Sequence, residues 1–179
     1  MPGIDKNRPF IPIRIAVLTI SDTRTVETDR SGEVLVDRIQ EAGHSVADRQ
    51  ILPDHADTLT TQIQKWIDQA DIDVVISTGG TGLTGRDITP EVFEALYDKA
   101  IPGFGELFRH LSYSLIGPST IQSRATAGVS GGTYLFALPG SPGAVRDAWD
   151  GILQSQLDHR TTPCNFVQIM PRLCEDQPE

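Results

Sequence analysis

Apolar residues in this chain alternate between dense short runs and stretches where they recur every third or fourth position. Residues 13–20 are apolar except for Arg14 and Thr19, which predicts a buried first strand. The polar loop Ser21-Asp22-Thr23-Arg24 follows at its carboxyl end. The spacing then turns helical. Leu35, Ile39 and Ala42 share one face of a helix that starts near Ser31, and Gly43 suits its C-terminal end. A second strand is expected within residues 45–52, ending in the loop 53–57. Leu59, Ile63, Trp66 and Ile67 stand at i, i+4, i+7 and i+8, an amphipathic stripe. Residues 73–77 predict a third strand that runs into a glycine-rich loop.

Beyond that loop Thr89 is expected to cap a helix, with Pro90 at its first position. Pro102-Gly103 separates it from another helix, on which Phe104, Leu107, Phe108, Leu111 and Leu115 form an apolar face. Residues 125–129 and 133–138 read as a hairpin around Ser130-Gly131-Gly132. Its second strand enters Pro139-Gly140-Ser141-Pro142-Gly143, so strand, glycine loop and helix start recur in that order. Val145, Trp149, Ile152 and Leu153 mark the last helix; the chain after His159 reads as irregular, with residues 175–179 frayed. This alternation predicts a three-layer α/β/α fold with a mostly parallel central sheet and an antiparallel edge hairpin.

Composition narrows the functional classes. With 179 residues and 39% hydrophobic content, one sizeable core and one domain are expected. A net charge of −9 argues against non-specific nucleic-acid binding and against docking on anionic membranes. No apolar run approaches the roughly 18 residues needed to cross a bilayer, and residues 1–12 lack a signal-peptide core. The cytoplasm is the expected location. Cys164 and Cys174 are then expected as free thiols, and no Cys/His spacing resembles a zinc site.

The candidate chemistry lies in residues 74–91. Thr78-Gly79-Gly80-Thr81-Gly82 can bring backbone N–H groups against an anion, because glycine has no Cβ to hold a ligand away. Arg86 and Asp87 follow, offering one group for phosphate and one for a metal ion. Asp54 sits in another loop after a strand, so it and Asp87 could hold one magnesium ion at the carboxyl edge. A surface ion pair with Arg86 for Asp87, and a helix cap for Asp54, are the structural alternatives. No lysine follows Gly82 as in a P-loop, and the Gly-x-Gly-x-x-Gly spacing of dinucleotide binding is missing.

These residues resemble the MoaB/MogA family of molybdenum cofactor biosynthesis proteins. The likeness rests on Ile20-Ser21-Asp22, residues 78–91, Gly103-Phe104-Gly105-Glu106, Ser123-Arg124, residues 138–142 and Arg160-Thr161-Thr162-Pro163-Cys164-Asn165-Phe166. It spans residues 13–173, a molybdopterin-binding domain between tails at 1–12 and 174–179. The Pro-Cys-Asn-Phe tail leans toward the B-type branch. The resemblance implies molybdopterin adenylyltransferase activity: molybdopterin and ATP, with Mg2+, give adenylyl-molybdopterin and pyrophosphate. The family's two catalytic aspartates fall on Asp54 and Asp87, both retained here. Gly79, Gly80, Thr81 and Gly82, with Thr78 and Arg86, are implied for phosphate or nucleotide; Gly140 and Ser141, with Ser21 and Asp22, for substrate. Trimers or hexamers are implied, with other enzymes of the same pathway as further partners. A non-catalytic molybdopterin-binding or scaffold protein is the alternative, and an unrelated nucleotide-binding α/β module a second.

Overall fold

The computed structural model describes residues 3–175; of the stretch expected to fray, 176–179 lie outside the described residues. In chain order the elements are β1 (Gly3–Ile4), β2 (Arg14–Ile20), α1 (Arg30–Glu41), β3 (Ser45–Leu52), α2 (Ala56–Ile67), β4 (Val74–Thr78) and α3 (Thr89–Leu96). They continue with β5 (Lys99–Ala100), α4 (Pro102–Ile116), β6 (Thr126–Ser130), β7 (Thr133–Leu138), α5 (Pro142–Ala148) and β8 (Thr161–Thr162). The α5 helix continues through a widened turn at Trp149–Leu153 into Gln154–Gln156.

Six strands form the central sheet in the order β3-β2-β4-β7-β6-β5. The first four are parallel, and β6 runs antiparallel to β7, as the hairpin pattern predicts. The sheet ends in β5, a two-residue strand that no sequence pattern marked. Strand alternation divides the apolar residues between two faces. Ile15, Val17, Val74, Ile76, Tyr134 and Phe136 face α1, α4 and α5, whereas Ala16, Leu18, Val75, Leu135 and Ala137 face α2 and α3. Trp149 is buried in the first layer and Trp66 in the second. This is the expected three-layer fold.

Three local expectations need correction. Thr89 is the first helical residue rather than the cap; Ile88 occupies the cap position. On α4 only part of the expected apolar face is buried: Phe104 and Phe108 pack inward, whereas Leu107 and Leu115 are exposed. After His159 the chain is not irregular throughout: it forms β8 and a short helix at Phe166–Ile169. β1 pairs with β8, and Phe10 packs on both the His44 ring and the Arg160 guanidinium, each 5.1 Å from its ring centroid.

Asp29 anchors the polar loop that leads from β2 into α1. Its buried carboxylate caps α1 through Gly32 N at 2.9 Å and accepts from Thr19 Oγ1 at 2.7 Å and Arg49 Nη2 at 2.8 Å. Burial alone would raise its pKa, but these donors outweigh burial and hold it below the usual carboxylate range. Asp29→Ala removes the cap and strands Arg49, so it should cost about 3 kcal/mol. Urea unfolding checks this; a loss under about 1 kcal/mol would show that the cluster is not holding the loop.

Candidate active site

Two glycine loops meet where the parallel strands end. Thr78 of β4 lies opposite Thr19 of β2 on one side and Leu138 of β7 on the other, so their loops emerge side by side. Gly79 has φ +107° and Gly80 φ +64°, a region open to glycine but strained for other residues. A methyl group on Gly79 would sit 2.3 Å from the Ile20 carbonyl oxygen, so close strand packing also excludes a side chain there. The Thr89 hydroxyl donates to Gly79 O at 2.9 Å, and Thr89 N donates to Gly80 O at 3.0 Å. The Thr78 hydroxyl donates to Pro139 O at 3.0 Å, which ties one loop to the other.

Asp54 and Asp87 converge on this loop. A methyl group on Gly80 would meet Asp54 Oδ1 at 2.6 Å, and one on Gly82 would meet Asp87 Oδ2 at 2.7 Å. The two carboxylates have opposite environments. Asp87 Oδ2 accepts from Thr84 N at 2.8 Å and Thr84 Oγ1 at 2.7 Å, and the Thr84 hydroxyl leads in lowering its pKa. Asp54 Oδ1 is buried without a hydrogen-bond partner. Burial, then the negative charges of Asp22 and Asp87, raise the Asp54 pKa. Arg86 does not pair with Asp87; it reaches across to Asp22 at 2.6 Å.

One cavity opens on the loop, and a separate depression lies past the end of β2. A cavity of about 430 Å³ collects Gly79, Gly80, Thr81, Gly82, Asp87, Gly140 and Ser141. Its other wall is Phe108, Ser112 and Ile116 of α4 together with Thr120 and Gln122. Ser21 and Asp22 instead line an open polar depression beside Arg49 and Pro53. Ser141 caps α5, its Oγ accepting from Ala144 N at 3.1 Å. Sequence reasoning missed the α4 wall, because helical periodicity shows an apolar face but not that its C-terminal end borders a cavity. It also gave Arg124 no role, although Ser123-Arg124 carries part of the family likeness.

Among the described residues no group of three or more His, Cys, Asp and Glu side chains could hold a metal ion. The orphaned Asp54 oxygen, with two like charges acting on it, nevertheless suits a cation. A magnesium ion normally takes only one or two protein carboxylates and completes its shell with water and phosphate oxygens.

The chain is similar to known proteins over most of its length. Residues 16–159 match the family described as "Probable molybdopterin binding domain". The chain is similar to molybdenum cofactor biosynthesis protein B of Escherichia coli strain K12, 52% identical over 157 residues, covering 88% of this chain and 92% of that protein. The Bacillus subtilis strain 168 protein of the same name is 44% identical over 148 residues, covering 82% and 87%. A crystal structure of molybdenum cofactor biosynthesis protein B superposes with a TM-score of 0.85 at 40% identity, covering 94% of this chain and 99% of that one. The tungsten cofactor synthesizing protein MoaB from Pyrococcus furiosus gives 0.72 at 34% identity, covering 80% and 92%.

The Asp54 environment has a measurable consequence. Folded Asp54 holds its proton more tightly than the unfolded chain does, so stability falls as pH rises from the ordinary carboxylate pKa through the raised one. Asp54→Asn removes that penalty and should raise the melting temperature at pH 7 by about 2 °C. The gain should vanish once the pH drops below the ordinary carboxylate range. Mg2+ should stabilise the wild type more than the variant. A variant that melts lower than wild type at pH 7 would contradict this account of the site.

Proposed function

The chain belongs to the molybdopterin-binding family of molybdenum cofactor biosynthesis proteins, and from that premise we propose that it binds molybdopterin and adenylylates it with Mg-ATP. The convergence of Asp54 and Asp87 on Gly80 and Gly82, with Asp54 Oδ1 unpartnered, carries this reading. The products are adenylyl-molybdopterin and pyrophosphate. A terminal phosphate oxygen of molybdopterin attacks the α-phosphorus of ATP. The bond from that phosphorus to the bridging oxygen breaks, and its electron pair leaves with pyrophosphate. Such a transfer depends on alignment and charge neutralisation more than on covalent help from the protein.

Bound magnesium supplies positive charge to the nucleotide phosphates. Asp54 and Asp87 would hold it from two sides of the loop. The backbone of Gly79, Gly80 and Gly82, with Thr81, forms the surface against which phosphate oxygens lie. Phe108, Ile116 and Ala144 give the cavity an apolar wall suited to a pterin ring, with Gly140 and Ser141 at its rim. A cavity of about 430 Å³ suits one of the two substrates, so the depression at Ser21 and Asp22 takes what remains outside.

The deciding experiment is pyrophosphate release from purified protein with molybdopterin, ATP and Mg2+. Asp87→Ala should lower it by on the order of 3 kcal/mol of transition-state stabilisation, more than about 100-fold, without unfolding the chain. Asp54→Ala should act alike, and the double variant should lose little more than either single one. A wild type that binds molybdopterin yet releases no pyrophosphate is a binding or scaffold protein instead.

Self-association is proposed on separate grounds. Leu107, Tyr113, Leu115, Ile116 and Ile121 are 44%, 60%, 63%, 56% and 81% exposed, an apolar surface along α4 and just beyond it. The family resemblance implies a trimer or a pair of trimers. Light scattering at micromolar concentration should return such a mass, and a monomer would rule it out.

A further inference from the structure

Arg124 reaches the glycine loop from outside it, from the segment that joins the cavity wall to β6. Its guanidinium fans out to three acceptors. Nε donates to Gly82 O at 2.8 Å, Nη2 donates to Asp87 O at 2.6 Å, and Nη1 pairs with the Glu91 carboxylate. Gly82 and Asp87 are the two ends of the exposed stretch 83–86, and Glu91 is in the first turn of α3. One planar group therefore closes that stretch into a loop and fastens it to a helix.

The Thr84 contacts orient the Asp87 carboxylate, but Thr84 rides on the same loop. Those contacts cannot fix where the turn as a whole sits relative to Gly82 and Asp54. Arg124 can, because it holds the Asp87 main chain from a different element. Lysine keeps the charge but offers a compact ammonium, which cannot match a fork set on two carbonyls and a carboxylate. Burial does not account for the residue, since its side chain is 28% exposed and borders a second cavity of about 550 Å³. Removing the guanidinium would admit water there and leave both apolar cores intact.

We infer that Arg124 is the positioning residue for Asp87, with Glu91 as its tether. The kinetic part of this inference rests on the adenylylation reading; the structural part does not. The test compares wild type, Arg124→Lys and Glu91→Gln in two ways. The first is amide hydrogen exchange over residues 83–88. Arg124→Lys should speed exchange there by about tenfold, while β2 and β4 stay as protected as in wild type. The second is pyrophosphate release. Arg124→Lys should lower kcat by about 10- to 100-fold, as expected when a reacting group is slightly misplaced, with KM for molybdopterin within about twofold. Glu91→Gln should show a smaller change in the same direction in both.

Local loosening with a kcat loss at steady KM supports the inference. Unchanged exchange in Arg124→Lys overturns it, and so does loosening that spreads through the whole sheet. If the wild type releases no pyrophosphate, the adenylylation reading fails by itself. The exchange measurement then decides the role of Arg124 alone, on the same criteria.

Discussion

The close approach of three parallel strand ends governs the rest of this molecule. β2, β4 and β7 finish nearly level, and at that edge Gly79 N donates to Leu138 O at 3.0 Å. The Ile20 carbonyl lies where a Gly79 side chain would be, and a methyl on Gly140 would come within 3.2 Å of the Gly79 Cα. Two loops that leave so narrow an edge can pass each other only as bare backbone. The positive φ values at Gly79 and Gly80 then turn the chain across the strand ends instead of away from them. That turn places residues 80–82 within reach of the Asp54 carboxylate from the loop after β3 and of the Asp87 carboxylate from farther along the same loop. The site is thus a consequence of how tightly the sheet is packed at this edge.

The same geometry separates the two aspartates electrostatically. Asp87 sits in a turn that supplies donors, so it is ionised at low cost. Asp54 is half-buried beside like charges, with one oxygen unpartnered, and ionises reluctantly. Adjacent carboxyl groups pushed in opposite directions mark functional sites more often than structural ones. The acidic surface makes the contrast sharper. With a net charge of −9, the chain attracts a phosphate-bearing ligand only where donors or a cation locally reverse the field.

Much of the fold was legible because both buried strands and amphipathic helices write their period into the sequence. The residues at 13–20, the stripe from Leu59 to Ile67 and the last helix at Val145 to Leu153 all fall where periodicity put them. Lys99–Ala100 left no trace, since two residues carry no period. Gly3–Ile4 was equally silent: it is held by backbone pairing to Thr161–Thr162, and Phe10 nearby packs on His44 and Arg160, contacts between distant parts of the chain. The site divides along the same line. The glycine clusters and Asp87 stand out locally, and Asp54 could be paired with Asp87 from its place in a loop after a strand, whereas their catalytic role came from family likeness. Arg124 could not be found either way, because its role lies in which carbonyls it touches, and a sequence does not show that.

Such a site needs a rigid support. An unpartnered carboxyl oxygen on Asp54, beside the negative charges of Asp22 and Asp87, works against the folded state. The sheet that carries them is buried on both faces, with Trp66 and Trp149 almost wholly enclosed in opposite layers. The edge can hold Asp54 Oδ1 without a partner because strands β2, β4 and β7 cannot shift without opening two cores at once. Loops without such backing would collapse until each carboxylate found a donor, as Asp87 has in Thr84. Asp54 Oδ1 remains unsatisfied because β3 and α2, which its loop joins, are both fixed by packing elsewhere.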